Sequence, residues 1–149
     1  RPAERYGALA LHLRERHGMP SIVTWGPSEH ALAGDVTAAS GGTAQLAPAA
    51  TIADLVELAR AAALFVAGDT GPMQLAAAVG TPVVGVFGPT NPLRNGSWRA
   101  GDTWVSRFDE CECHHKRRCR RATPCIDTIT VEQVIAAADR RLGTGGPRG

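Results

Sequence analysis

The pattern of apolar positions along the chain predicts helices that alternate with short strands. Helical spacing of apolar residues, or an alanine-rich composition, predicts helices at 3–17, 28–39, 52–62, 72–79 and 131–142. Short apolar runs predict strands at 20–25, 64–67, 82–87 and 103–106, with a brief extended piece near Gln45 and Leu46. The turn-rich stretch 88–98 predicts a loop, and Thr130 with Gln133 predicts a capping box at the start of the last helix. Such alternation is typical of a parallel sheet covered by helices on both faces. The sequence therefore predicts a Rossmann-like α/β fold.

The central stretch, 64–89, predicts a compact β-α-β unit. It reads LFVAGDTGPMQLAAAVGTPVVGVFGP, and Pro72 suits the first turn of a helix because proline has no amide hydrogen to leave unpaired. The valine-rich run that follows is typical of a parallel strand buried on both faces. The turn before the helix holds Asp69, Thr70 and Gly71. Free backbone amides and the helix dipole favour an anion such as a phosphate at that position.

Length and charge narrow the class of protein. The chain has 149 residues, 44% of them hydrophobic, which suits one globular domain over 1–142 with a flexible tail over 143–149. Its 16 basic and 14 acidic residues nearly balance, so the charge argues against a nucleic-acid partner. We see neither a signal peptide nor an apolar run of about 18 residues. Because the chain begins at Arg1 without methionine, we expect a fragment of a longer protein.

The segment DTGPMQLAAAVGTPVVGVFGPTNP resembles the signature of glycosyltransferase family 9, the bacterial heptosyltransferases. The resemblance implies the carboxyl-terminal, nucleotide-sugar-binding half of a two-domain GT-B glycosyltransferase. It implies an inverting enzyme that moves a heptose from ADP-heptose to the lipopolysaccharide core or a lipid A-linked acceptor, without cofactor or required metal. The family's general base is an aspartate of the other domain, so the resemblance names no catalytic residue in this chain, and the isolated fragment is expected to be inactive.

The resemblance also implies donor-binding residues. Glu29 matches a glutamate that binds the ribose hydroxyls, although without the resemblance its position favours an exposed residue of a helix first turn. The diphosphate would be held by the turn and the amides that follow it, and the residues concerned are Asp69, Thr70, Gly71, Pro72, Met73 and Gln74. The alternative for the turn is simple helix capping.

Gln74 departs from the family signature, which usually has histidine at this position. It lies one helical turn after Gly71, so its side chain can reach the same anion pocket. Histidine there could carry a positive charge, whereas glutamine offers only a neutral hydrogen bond. The catalytic rate, or the identity of the nucleotide sugar, depends on this difference.

Four cysteines precede the last helix, in the pattern C-x-C-x5-C-x5-C. This differs from the paired C-x2-C knuckles of structural zinc sites, so the spacing predicts reduced or locally paired cysteines and no metal, even with His114 and His115 alongside. The neighbouring basic run has two interpretations, a solvated face or a surface that attracts a phosphorylated lipid or sugar acceptor. Its residues are Lys116, Arg117, Arg118, Arg120 and Arg121.

Taken together, the residues and the resemblance predict the donor domain of a heptosyltransferase-like enzyme. We expect it in the cytoplasm, with peripheral association at the cytoplasmic face of the inner membrane. Two alternatives stay open: a non-catalytic nucleotide-binding module, which Gln74 favours, and a glycosyltransferase that uses another nucleotide sugar. A sugar-nucleotide epimerase of similar fold would need acid and base carboxylates near the pocket, which we do not find.

Overall fold

The computed structural model describes residues 2–114, 116 and 119–143, and it has the predicted α/β class with parallel strands. Contacts divide the chain into two units, one up to Thr51 and one from Ile52 onward. His115, Arg117, Arg118 and the tail 144–149 lie outside the described residues. Gly143, predicted as the first residue of the tail, is instead the last residue of the final helix.

The first unit is an α-β-α-β segment with a two-stranded parallel sheet. Its elements are α1 (Pro2–His17), β1 (Ser21–Val23), α2 (His30–Ala39) and β2 (Ala44–Leu46). Ser21 pairs with Ala44 and Val23 with Leu46. The strand is shorter than the predicted 20–25, and α2 begins two residues later than predicted. A turn occupies the intervening residues, in which Ser28 has a positive φ of 68°.

Close packing of α1 against α2 depends on Gly7. A β-carbon built on Gly7 would lie 2.6 Å from the carbonyl carbon of Ala39, closer than atoms can approach without a shift of backbone. Gly34, within α2, is different, because a β-carbon there would meet no atom within 4 Å. A side chain therefore has no room at position 7 and ample room at position 34.

We expect Gly7→Ala to destabilise the chain by about 1–3 kcal/mol, the usual cost of overpacking, partly offset by the better helix propensity of alanine. The matched variant Gly34→Ala should stabilise it by about 0.5–1 kcal/mol, since it gains propensity without a clash. Urea denaturation of both variants measures the difference. Changes of the same sign would contradict the close approach of the two helices.

The second unit builds a three-stranded parallel sheet in the order β3-β4-β5. Its elements are α3 (Ile52–Ala61), β3 (Phe65–Gly68), α4 (Gly71–Ala78), β4 (Val83–Phe87), α5 (Pro92–Asn95), β5 (Thr103–Ser106), a 3₁₀ helix (Cys125–Thr128) and α6 (Val131–Gly143). All five residues of the central strand β4 are buried, as its valine-rich run predicts. Within the described residues, no helix has the length and apolar character needed to cross a bilayer.

The core of this unit lies where α3 and α4 cover the sheet. Met73, Ala76, Val83 and Phe87 are almost completely buried there. A β-carbon on Gly85 would lie 2.4 Å from the Phe87 ring, so the glycine in β4 makes room for that ring to lie against the strand. This packing fixes the carboxyl end of β4 and, next to it, the beginning of α4.

The segment after β4 is more regular than the sequence predicts. Residues 88–98 were predicted as a turn-rich loop, but they contain the short helix α5. The Asn91 side chain caps it by accepting a hydrogen bond from the Leu93 amide at 2.9 Å, and Pro92 occupies its first position. The predicted capping box at α6 is confirmed, since Thr130 and Gln133 exchange hydrogen bonds of 3.1 and 3.4 Å.

Candidate functional site

The amino end of α4 opens at the carboxyl edge of β3, where ligands of parallel sheets bind. Thr70 precedes the helix in an extended conformation (φ −140°, ψ 163°), and its side chain makes no capping hydrogen bond. Its hydroxyl instead lies 3.4 Å from the Gly68 carbonyl oxygen. Of the two interpretations that the sequence leaves open, capping by Thr70 is therefore not realised. The first-turn amides of Gly71 and Met73 have no partner within the helix, as at any helix start.

Gly71 keeps the space over these amides open. A β-carbon built on Gly71 would meet no atom within 4 Å, and the residue is exposed. Met73 contributes only its backbone here, because its side chain is fully buried in the core. A small anion can thus approach the helix start without displacing a side chain.

Asp69 and Gln74 are both tied to Asn95, at the end of α5. The Asn95 side-chain amide donates to the Asp69 carboxylate at 2.8 Å, and the Gln74 side-chain amide donates to the Asn95 backbone carbonyl. Because a carboxylate repels a phosphate, Asp69 is better suited to ordering the turn than to touching an anion. The sequence did not predict the contact of Asn95 with this turn, because the two lie 26 positions apart and no local pattern links them.

Glu29 orders the turn before α2 in the first unit. Its carboxylate accepts a hydrogen bond of 2.9 Å from the Gly26 amide, and the residue is exposed. A β-carbon on Gly26 would lie 3.0 Å from that carboxylate oxygen, a close contact that a small movement of the exposed Glu29 side chain would relieve. Together with the positive φ of Ser28, the turn stores local strain of the kind that accumulates at ligand sites.

The four cysteines gather in the segment between β5 and α6. Cys111, Cys113 and Cys125 are buried and pack together, with the partly exposed Cys119 against them. Backbone hydrogen bonds, from Arg121 above all and then from Cys125, lower the pKa of the Cys119 thiol to about 7. A hydrogen bond with Cys111, followed by burial, raises the pKa of Cys125 to about 12. The sulfur atoms of Cys111, Cys119 and Cys125 lie close enough together to hold a metal ion.

His114 lies next to this cluster but is engaged elsewhere. Its ring stacks on the Phe108 ring with centroids 4.2 Å apart, and its Nε2 lies 2.8 Å from the Phe108 backbone oxygen. The histidine thus orders the segment after β5.

Comparisons with known proteins agree with the resemblance in the sequence. The model of the family described as glycosyltransferase family 9 (heptosyltransferase) matches residues 2–125. Two curated relatives from Escherichia coli, both named lipopolysaccharide heptosyltransferase 3, are 29% and 31% identical over 139 residues. Each match covers 89% of this chain, which spans only 40% and 39% of the relatives' lengths.

A solved structure supports the fold. The crystal structure of the glycosyl transferase family 9 from Veillonella parvula DSM 2008 is similar with a TM-score of 0.77 and 23% identity. The match covers 97% of this chain and 42% of that one.

Proposed function

Because this chain belongs to glycosyltransferase family 9, we propose that it is the donor-binding part of a heptosyltransferase-like enzyme that uses ADP-heptose. It would form the carboxyl-terminal half of an inverting GT-B enzyme. The observation that carries the proposal is the uncapped, open start of α4 at the carboxyl edge of the sheet, with empty space over Gly71. That is the geometry in which backbone amides and a helix dipole hold a diphosphate.

In the proposed complex, the diphosphate accepts hydrogen bonds from the amides of Gly71 and Met73 and from the Thr70 hydroxyl. Pro72 fixes the first turn. Asp69 and Gln74 hold the turn in place through Asn95. For the first unit we propose separately that Glu29 contacts ribose hydroxyls with its exposed carboxylate, which the Gly26 amide orients.

Transfer breaks the bond between the anomeric carbon and the diphosphate oxygen, while an acceptor hydroxyl attacks the opposite face of the sugar. Negative charge then builds on the leaving ADP, where the helix amides stabilise it. The hydroxyl proton passes to a general base. Since this chain spans about 40% of the curated relatives it matches, we propose that the base and the acceptor surface lie outside residues 1–149.

The names of the curated relatives support a lipopolysaccharide acceptor. For this chain we propose the lipopolysaccharide core as acceptor, with the enzyme working in the cytoplasm at the inner face of the membrane that carries that lipid. The nearest alternative is a glycosyltransferase that uses a nucleotide sugar other than ADP-heptose as its donor.

A second candidate function is a non-catalytic nucleotide-binding module. The contact of Gln74 with the Asn95 carbonyl favours it, because this neutral side chain links two helices and adds no positive charge to the leaving group. Binding of ADP alone would fit both candidates, so turnover has to separate them.

We expect the whole protein to release ADP from ADP-heptose only when lipopolysaccharide core acceptor is present. Residues 1–149 alone should release none above background, because they lack the proposed base. A coupled assay for ADP measures both. No turnover by the whole protein would favour the binding module, and turnover by residues 1–149 would contradict the assignment of the base to another part.

A further inference from the structure

The segment between β5 and α6 has a small core made largely of sulfur. The Sγ atoms of Cys111, Cys119 and Cys125 all lie within 4.8 Å of one another. Cys113 belongs to the same small core, because it is buried and packs with the other cysteines. All four cysteines of the chain thus lie in one small core, although they are spread over 15 positions, from 111 to 125.

We propose that this cluster is a structural zinc site. Its four ligands are the sulfur atoms of Cys111, Cys113, Cys119 and Cys125. Four thiolates in a closed set are typical of structural zinc, whose ligands need no open position for substrate.

The sulfur separations support a shared ion. With Zn–S bonds of about 2.3 Å, the sulfurs of a tetrahedral site lie about 3.8 Å apart. Cys119 and Cys125 have a sulfur separation of 3.5 Å, close to that edge and far beyond the roughly 2.05 Å of a disulfide. A rotation of the Cys113 side chain toward the other three sulfur atoms would complete the site.

The surroundings suit a negatively charged metal centre. Four thiolates and one Zn²⁺ carry a net charge of −2, which needs donors and cations nearby. The Arg120 amide donates to Cys113 Sγ at 3.1 Å. Lys116 lines a cavity of about 370 Å³ together with Cys111, Cys119 and Cys125. Lys116, one residue of the basic run, would thereby help to offset the negative charge of the metal centre.

The segment also needs a stabilising element. In its described part, residues 107–124 form no helix or strand, and ordering each residue costs about 1–2 kcal/mol of backbone entropy. The hydrophobic cluster formed there consists of cysteines alone. Structural zinc commonly supplies the missing free energy in such segments. The spacing alone predicts cysteines without metal; no observation tests that prediction, and the positions of the sulfurs favour zinc.

The site would act on the loop after β4. A β-carbon on Gly88 would lie 3.0 Å from the Ile126 β-carbon, and Pro89 lines the same cavity as the cysteines. Zinc would thus hold the cysteine segment against the carboxyl end of β4.

Elemental analysis of the purified chain, prepared without chelators or nickel resin, tests the proposal. We expect about one zinc per chain, falling at least fivefold in Cys125→Ser, because a structural site requires all four ligands. Ala122→Ser, an exposed change in the same segment, is the matched control and should keep the zinc. Less than about one-tenth of an equivalent of zinc in the wild type, or iron and sulfide in its place, would overturn the proposal.

Cys125→Ser could fail to fold, so a second measurement uses only the wild type. The partly exposed Cys119 should react with iodoacetamide if it is a free thiol. As purified, we expect mass spectrometry to find no cysteine alkylated, and all four to be alkylated after treatment with a chelator. Rapid alkylation of Cys119 before chelation would refute the site.

Discussion

Gly71→Val is expected to weaken ADP binding about ten- to hundredfold, in line with the roughly 1–3 kcal/mol that overpacking costs. The free energy of unfolding should change by less than about 0.5 kcal/mol, as for other surface substitutions. The difference arises because the space over Gly71 is empty in the chain itself. The valine methyl groups meet only the ligand, at the point where the first-turn amides would hold the diphosphate. Calorimetry measures the affinity, and urea denaturation the stability.

Ala61→Val serves as the control for Gly71→Val. It adds methyl groups at an exposed position of α3 and should leave ADP affinity unchanged. If Gly71→Val binds ADP as the wild type does, the nucleotide lies elsewhere. If Gly71→Val loses stability and affinity together, the valine clashes with the chain itself, and the space over Gly71 is not free for a ligand.

Asp102→Ala should be the most destabilising of the single substitutions considered, at about 3–5 kcal/mol, because it removes the carboxylate of a buried ion pair. Asp102 Oδ1 accepts from Arg141 Nε at 2.7 Å and from the Val83 amide at 3.0 Å. Its Oδ2 accepts a hydrogen bond from Ser97. The carboxylate thus joins the start of β4 to α6, and the two charged side chains are only 1% and 7% exposed.

The exposed pair formed by Glu57 and Arg60 is the matched control for Asp102→Ala. Their 2.9 Å ion pair lies on α3 with side chains 71% and 59% exposed, so Glu57→Ala should cost less than about 1 kcal/mol. Denaturation of both variants under the same conditions compares them. Equal losses would contradict the buried pair as a major contributor to stability.

Local signals in the sequence account for most elements of the fold. The valine-rich run predicts the buried strand β4, and the pair Thr130 and Gln133 predicts the start of α6, because strand burial and helix capping depend on neighbouring residues. The short helix α5 was missed although its Asn-Pro start is also local. The turn before α2 was misjudged, since the positive φ of Ser28 is not expected for serine.

Contacts between distant residues could not be read from spacing. Asp69 and Asn95 lie 26 positions apart, and Asp102 and Arg141 39 positions apart. Periodicity places each residue on an element but does not say which side chains meet. The turn at Asp69 was located by its pattern, whereas its support by Asn95 needed the structure. The clustering of the cysteines could not be predicted from spacing either, because the segment that holds them has no regular helix or strand period.

In the proposed function, this chain holds the nucleotide of an ADP-sugar at the start of α4. Isothermal titration calorimetry of residues 1–149 with ADP and with UDP tests it most directly. We predict weak binding of one ADP per chain, weaker binding of UDP, and loss of the ADP signal in Gly71→Val. Equal affinity for ADP and UDP, or binding of neither, would contradict the claim.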